Sequence, residues 1–234
     1  MKMDNQPYPT TGRLASDMNL DLANLKSKIR IDQANAYYYV IATIKNSNGH
    51  FLQTGSAPNF QGDLVSLCTC KHLMRTYMDT EEWVGKWIAG FSGVTAGNGK
   101  NMLVYLMKVG YAFKSHQSLW FSTKIPEEAK VAKLAKFNKF GDIYQPFDQN
   151  RDPFSFQSYF EPVKNHVHCN DNHWHNDINY DGCKGRKATL LVGDIDNSFL
   201  WNMPKIYLND RLHRGQKKGN IRTLLLEQLS EQIK

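Results

Sequence analysis

The chain has only four cysteines in 234 residues and no C-x-x-C pair. This excludes the disulfide-dense secreted scaffolds and the common zinc fingers and knuckles. Cys68, Cys70, Cys169 and Cys183 are expected to be thiols or metal ligands, and Cys68 and Cys70, two residues apart, do not suit a bridge to each other. No apolar run of about 18 residues occurs, so no membrane-spanning helix is expected. The stretch MKMDNQPYPTTGRL lacks the apolar centre of a secretory leader, which makes the cytoplasm the expected compartment. The sequence contains no G-x-G-x-x-G, no P-loop and no G-x-S-x-G, so dinucleotide-binding, Walker-type and α/β-hydrolase readings have little support. The H-x-E…P-C-x-x-C pattern of zinc deaminases is also missing. No internal repeat or low-complexity tract stands out.

What is present is an ordinary globular composition, 41% hydrophobic and 22% charged, with a net charge of +7. The length supports one substantial core. The positive excess suits a polyanion such as nucleic acid. The densest basic run is RLHRGQKKGNIR, residues 211–222, whose Arg211, Arg214, Lys217 and Lys218 are the best candidates for phosphate contacts, with a solvated loop as the plainer reading.

Three parts are expected. Residues 1–35 read as an N-terminal arm with a short helix over 17–29, capped by Asp17. Residues 36–210 form the main domain, and 211–234 the basic segment with a C-terminal helix over 221–233. Within the main domain, AYYYVIATI (36–44), LVSLCTC (64–70), KWIAGFSG (86–93), NMLVYLMKVGYAF (101–113) and ATLLVGDI (188–195) read as strands. Asn48-Gly49 marks a turn, 51–63 an irregular loop, and TAGNGK a hairpin connection. SLWFSTK (118–124) reads as an edge segment. PEEAKVAKLAKF (126–137) reads as a helix opened by Pro126, with Val131, Leu134 and Phe137 on one face. The pattern predicts an α+β fold: a small curved, mostly antiparallel sheet or barrel with flanking helices.

The order YYYVIAT, LCTCKHLMR, EEWVGKWIAGFSG, NMLVYLMKV, FNKFGDIY and LLVGDI-SFLW, over roughly residues 37–201, resembles the type-two nucleotide modification associated domain family of phages and bacteria. The tryptophan hairpin also looks like the EVE and ASCH members of the PUA-like barrels. Lys86 stands where that family has an aspartate, His72 where it has a proline, and its "GDNIY" turn is reduced here to Gly141, Asp142, Ile143 and Tyr144. The resemblance implies a PUA-like barrel that presents a cleft to a nucleobase, ordinary or modified, in a nucleic-acid modification or defence setting.

On that reading the nucleotide-binding candidates are Asn59, Lys71, Arg75, Trp120, Asp142, Tyr144 and Asp194. Lys71 and Arg75, just past the CTC strand, are placed to hold a phosphate or a base edge. Trp120, Trp174, Trp201 and Tyr144 offer flat faces for stacking, and Asn59, Asp142 and Asp194 offer edge-reading groups. Core aromatics, turn residues and small buried thiols are the plainer readings of the same positions. HVHCNDNHWHNDINYDGC, residues 166–183, holds His166, His168, Cys169, His173, His175 and Cys183 without a familiar zinc spacing. The expectation is a binding module without a cofactor, zinc being the one candidate metal. The alternative is a metal- or His-assisted enzyme that processes nucleotides or nucleic acid, built on that loop with Asp142 or Asp194.

Overall fold

The computed structural model describes residues 5–29, 35–166, 174–209, 223–225 and 228–231. Six strands build the main sheet, in the spatial order β4 (Ser66–Leu67), β7 (Leu190–Leu200), β6 (Leu103–Phe113), β5 (Trp87–Ser92), β1 (Asn35–Ile41) and β9 (Thr223–Leu225). Only β1 and β5 run parallel, with Tyr38 opposite Ala89; the other pairings are antiparallel. The expected hairpin through the 93–100 segment is present as β5–β6. Met107 pairs with Ser198 but Val109 with Gly193, so four residues of β7 bulge out opposite one of β6. A second slip falls between Gly90 and Phe91. Such slips bend and twist a strand, and the mixed sheet curls into a half-barrel with a few flanking helices, an α+β architecture.

Tyrosines and β-branched residues make β1, and near-unbroken apolar runs make β5 and β6, because both faces of these strands are covered. A core cluster containing Trp83, Val104, Tyr105 and Leu191 forms apart from one containing Phe91, Leu106, Phe199 and Trp201. Asn48 and Gly49, both at positive φ (52 and 83), turn the hairpin β2 (Ile44–Ser47) to β3 (His50–Gln53), which occupies the start of the expected irregular loop.

Several expectations change. The N-terminal segment carries α1 (Gly12–Ser16) and α2 (Leu22–Lys28), and Leu14 and Leu25 are completely buried in the core. Asp21, not Asp17, caps α2; Asp17 instead pairs with Arg13 and Lys28. The strand expected over 64–70 is paired only at Ser66–Leu67, because Cys70 and Lys71 turn the chain in the left-handed region. The segment over 118–124 belongs partly to α5 (His116–Trp120), since Ser115 and Ser118 close a capping box ahead of it. α6 (Glu127–Ala132) stops early: the Lys133 carbonyl accepts from the backbone N–H of Asp142 and Ile143. The helical repeat therefore never reaches Phe137, which is exposed along with Val131, while Ala129 and Leu134 are buried.

The helix expected over 221–233 is replaced, among the described residues, by β9 and β10 (Leu229–Glu231). These find partners in β1 and in β8 (Ile206–Leu208), so tertiary pairing overrides local propensity. Short helices α3 (His72–Arg75), α4 (Thr80–Trp83) and α7 (Trp174–Asn179) complete the fold. Among the described residues no helix is long and apolar enough to cross a membrane.

Candidate functional site

The turn after β4 organises a buried polar centre. Ser66 Oγ and the Cys68 N–H both donate to Asp142 Oδ2, at 2.8 and 3.2 Å. Cys70 and Lys71 then take φ of 55 and 48, a left-handed geometry that costs non-glycine residues roughly 1–3 kcal/mol each. This turn aims the Cys70 N–H at Asp177 Oδ1, 3.1 Å away. Cys68 and Cys70 therefore do not share a strand face. Their backbone N–H groups serve two different carboxylates, and burial, with the nearby carboxylate, pushes both thiols up, Cys70 to about 12.

Arg75, one turn into α3, is completely buried. Its Nε donates to the Cys70 carbonyl (2.9 Å), and Nη1 to the carbonyls of Thr189 (2.8 Å) and Ala188 (3.3 Å). The guanidinium is spent largely on backbone, not at a cleft mouth. Burial lowers its proton affinity, and Asp177 opposes that most strongly.

Asp142 sits in the 141–144 turn, which packs against the end of α6. A Cβ at Gly141 would lie 2.5 Å from the Ala135 backbone nitrogen, so only glycine allows that approach. Asp142 is fully buried; burial raises its proton affinity, while Lys133 and the bonds from Ser66 and Cys68 lower it. Lys133 is also fully buried and is pushed down to about 8 by burial, with Asp142 opposing. Its ammonium donates to Asn59 Oδ1 at 2.7 Å and to the Asn59 carbonyl at 3.2 Å. The Asn59 amide in turn donates to Phe140 O and Gln61 Oε1, and its oxygen also accepts from Gln61 N. All four side-chain hydrogen-bonding positions of Asn59 are thus used internally, which makes it a structural strut.

Asp177, on α7, is a second buried carboxylate that sequence reasoning passed over although it lies inside the His-rich stretch. It accepts from the Tyr144 hydroxyl (2.9 Å), pairs with His72 Nε2 (2.5 Å) and receives the Cys70 N–H. The His72 ring stacks on Tyr180 at 4.9 Å, and its side chain keeps about a fifth of its exposure (21%), so this dyad reaches the surface. His116, also passed over, opens α5 completely buried. Its Nδ1 accepts the Tyr144 N–H at 3.2 Å, and burial pushes the imidazole down to about 3. The ring is therefore neutral, with its proton on Nε2.

Three atoms of this centre are buried without a hydrogen-bond partner among the described residues: Arg75 Nη2, His116 Nε2 and Asp142 Oδ1. Hydrogen bonds and short stretches of chain link the three residues. Cys68, bound to Asp142, is two residues from the carbonyl of Cys70 that holds Arg75; Tyr144, bound to His116, is two residues from Asp142. Tyr144 is fully buried, packed at 4.8 Å from His116 and 5.4 Å from Trp174. At the surface Lys71 is exposed; its ammonium donates to Val40 O at 3.3 Å and lies 4.7 Å from the Tyr39 ring centre. Tyr39 and Tyr105 join hydroxyls at 3.0 Å beneath it.

The remaining candidates lie apart. Trp120 is half-buried on α5, its carbonyl accepting from Lys130. Asp194 Oδ1 caps the β7 bulge by accepting from Asp196 N and Asn197 N. Trp201 is fully buried, its indole donating to Leu20 O at 2.7 Å, and so offers no face for stacking. His166 Nε2 meets Gly141 O at 2.8 Å beside the centre, while His175 stacks on Phe156 at 3.7 Å. His168, Cys169, His173, Arg211, Arg214, Lys217 and Lys218, and the side chain of Cys183, lie outside the described residues. Among the described residues no group of three or more His, Cys, Asp or Glu is placed to hold a metal ion. Compared with protein-family models, with curated proteins and with solved structures, the chain matches none.

Proposed function

We propose that the chain is a nucleobase-binding module of PUA-like design, taking up one base, in nucleic acid or as a nucleotide, at the centre built by Arg75, His116 and Asp142. The observation that carries this reading is that these three completely or almost completely buried side chains each keep one polar atom without a hydrogen-bond partner among the described residues. Such atoms cost roughly 1–3 kcal/mol each when left unpaired in a dry interior. A flat ligand with hydrogen-bonding groups on its edge removes that cost, and an apolar ligand does not. Tyr144, Trp174 and His116 supply the aromatic walls against which a base packs. Lys71, exposed beside His72, supplies a cation for an attached phosphate, in keeping with the net charge of +7.

The test is a thermal melt of the intact chain with each common nucleoside monophosphate and with short single strands. A bound ligand at about a hundred times its Kd adds about 2.7 kcal/mol to stability. At least one is expected to shift the melt and to titrate saturably; indifference to all of them would end this reading.

A second reading, a nucleotide-processing enzyme, has one specific observation in its favour: the His72–Asp177 pair at 2.5 Å, with the imidazole reaching the surface. A buried carboxylate held against an imidazole orients the ring and stabilises its protonated form. His72→Asn would then keep nucleotide binding and abolish product formation. Turnover at an undiminished rate in that variant would remove His72 from any chemistry.

A further inference from the structure

We infer that a surface strip made by Phe137, Lys136, Phe160, Phe147 and Arg151 binds single-stranded nucleic acid, stacking its bases and pairing its phosphates. None of these side chains belongs to the buried centre, so the inference stands apart from the nucleobase reading above. Three short segments are stitched side by side to make the strip. The Ala135 N–H donates to the Ile143 carbonyl at 2.9 Å, and the Val163 N–H to the Ala135 carbonyl at 2.8 Å. The Phe147 N–H donates to the Ser158 carbonyl at 2.9 Å and the Phe160 N–H to the Gln145 carbonyl at 3.0 Å, around an antiparallel bridge between Pro146 and Tyr159. Side chains alternate in such an extended pair. Pro146 and Tyr159 are buried, while Phe147 is exposed and Phe160 half-buried. Phe137, left outside the helix that stops at Ala132, is 71% exposed, the most of any large hydrophobic side chain among the described residues.

Rings and cations interleave along the strip. Lys136 Nζ lies 3.6 Å from the Phe160 ring centre and 5.2 Å from that of Phe137. The Phe160 and Phe147 ring centres are 4.3 Å apart, and the Arg151 guanidinium sits 4.5 Å from the Phe147 centre. Each of the three rings therefore has a cation against it. Arg151 divides its bonds between Asp148 at 3.2 Å and the Gln157 carbonyl at 3.3 Å, whereas Lys136 meets no carboxylate among the described residues. Exposed aromatic surface that the core does not need marks a contact site, and the cations select the partner. An apolar protein face would bury the rings but would also strip water from the Lys136 ammonium without supplying a counter-charge. An acidic peptide would answer the ammonium and leave the rings without a flat partner. A single strand brings both, since every nucleotide carries a π-face and a phosphate. A duplex hides its base faces in its own stack. The net charge of +7 favours the same polyanion.

The experiment follows the fluorescence anisotropy of a labelled single strand of about twelve nucleotides, as DNA and as RNA, titrated with the intact chain. Wild type is expected to bind at least one of the two saturably, and more tightly than the matching duplex. Phe137→Ala and Phe147→Ala are each expected to weaken binding about 5- to 150-fold, the effect of losing one stacked base. Phe137→Leu keeps apolar area without a flat face and is expected to weaken binding as alanine does, while Phe137→Trp keeps it. Lys136→Gln is expected to lower the slope of log affinity against log salt by about 0.7. Melting curves check the fold. Phe137 is exposed, so its variants are expected to stay folded and to decide the matter even where Phe147→Ala does not. A folded Phe137→Ala chain that binds as wild type does, or a wild type that binds neither strand, would overturn the inference. Self-association of wild type that Phe137→Ala abolishes would also overturn it, because a second copy would then cover the strip. The melts with nucleoside monophosphates probe the buried centre and are expected to be alike for wild type and Phe137→Ala, so the two readings stand or fall separately.

Discussion

Replacing Asp177 by alanine is expected to lower folding stability by about 3–5 kcal/mol. The carboxylate is buried and serves the Tyr144 hydroxyl, the His72 imidazole and the Cys70 N–H, so it joins the 141–144 turn to the turn that leads into α3. It also offsets the buried charge of Arg75 more than any other group does. Alanine would leave the hydroxyl and the N–H without this acceptor and a guanidinium in the core without its main counter-charge. Asp177→Asn separates the two effects. The amide oxygen can keep the Cys70 and His72 bonds, and the Tyr144 hydroxyl can turn to accept from the NH₂. What remains is loss of the charge, so asparagine is expected to cost roughly half as much as alanine. Urea denaturation at neutral pH reads both. A loss below about 1 kcal/mol for alanine would mean that Asp177 does not tie α7 to the sheet.

Much of the frame was legible because it rests on local rules. The apolar runs of β5 and β6, the Asn48-Gly49 turn and the α+β class follow from periodicity and turn chemistry. The site was legible in part. Arg75, Asp142 and Tyr144 are completely buried members of a polar network and do not line an open mouth. Sequence does not state depth: an Asp after a Gly looks the same whether it faces water or a lysine such as Lys133. Asn59 looked like an edge reader because a loop asparagine usually has spare valences, yet this one uses all of them on Lys133, Phe140 and Gln61. Asp177 and His116 were hidden for a related reason. Their roles depend on contacts with residues 70, 72 and 144, which no spacing within their own helices reveals. The C-terminal segment misled because its leucine-rich run suits a helix, and only the partners β1 and β8 make it strand.

His116 should make the fold sensitive to acid. Burial holds its imidazole at about 3, against 6.5 for an exposed ring. The unfolded chain therefore takes up the proton first as pH falls. Stability linked to His116 is complete above the exposed value of 6.5 and is lost as pH falls toward the folded value of about 3, at about 1.4 kcal/mol per pH unit. Asp142 acts in the opposite sense, since its raised proton affinity lets the native state bind a proton before the unfolded chain does. The raw pH profile mixes the two, so the comparison must remove one of them. His116→Asn does so: an amide oxygen at the place of Nδ1 still accepts the Tyr144 N–H, and the residue no longer titrates. Between about pH 7 and about pH 4 wild type is expected to lose about 3 kcal/mol more than this variant. Denaturant melts of both proteins across that range give the difference. A gap that stays constant with pH would mean that the His116 ring takes up its proton in the folded chain as readily as in water, and that the centre around it is open to solvent.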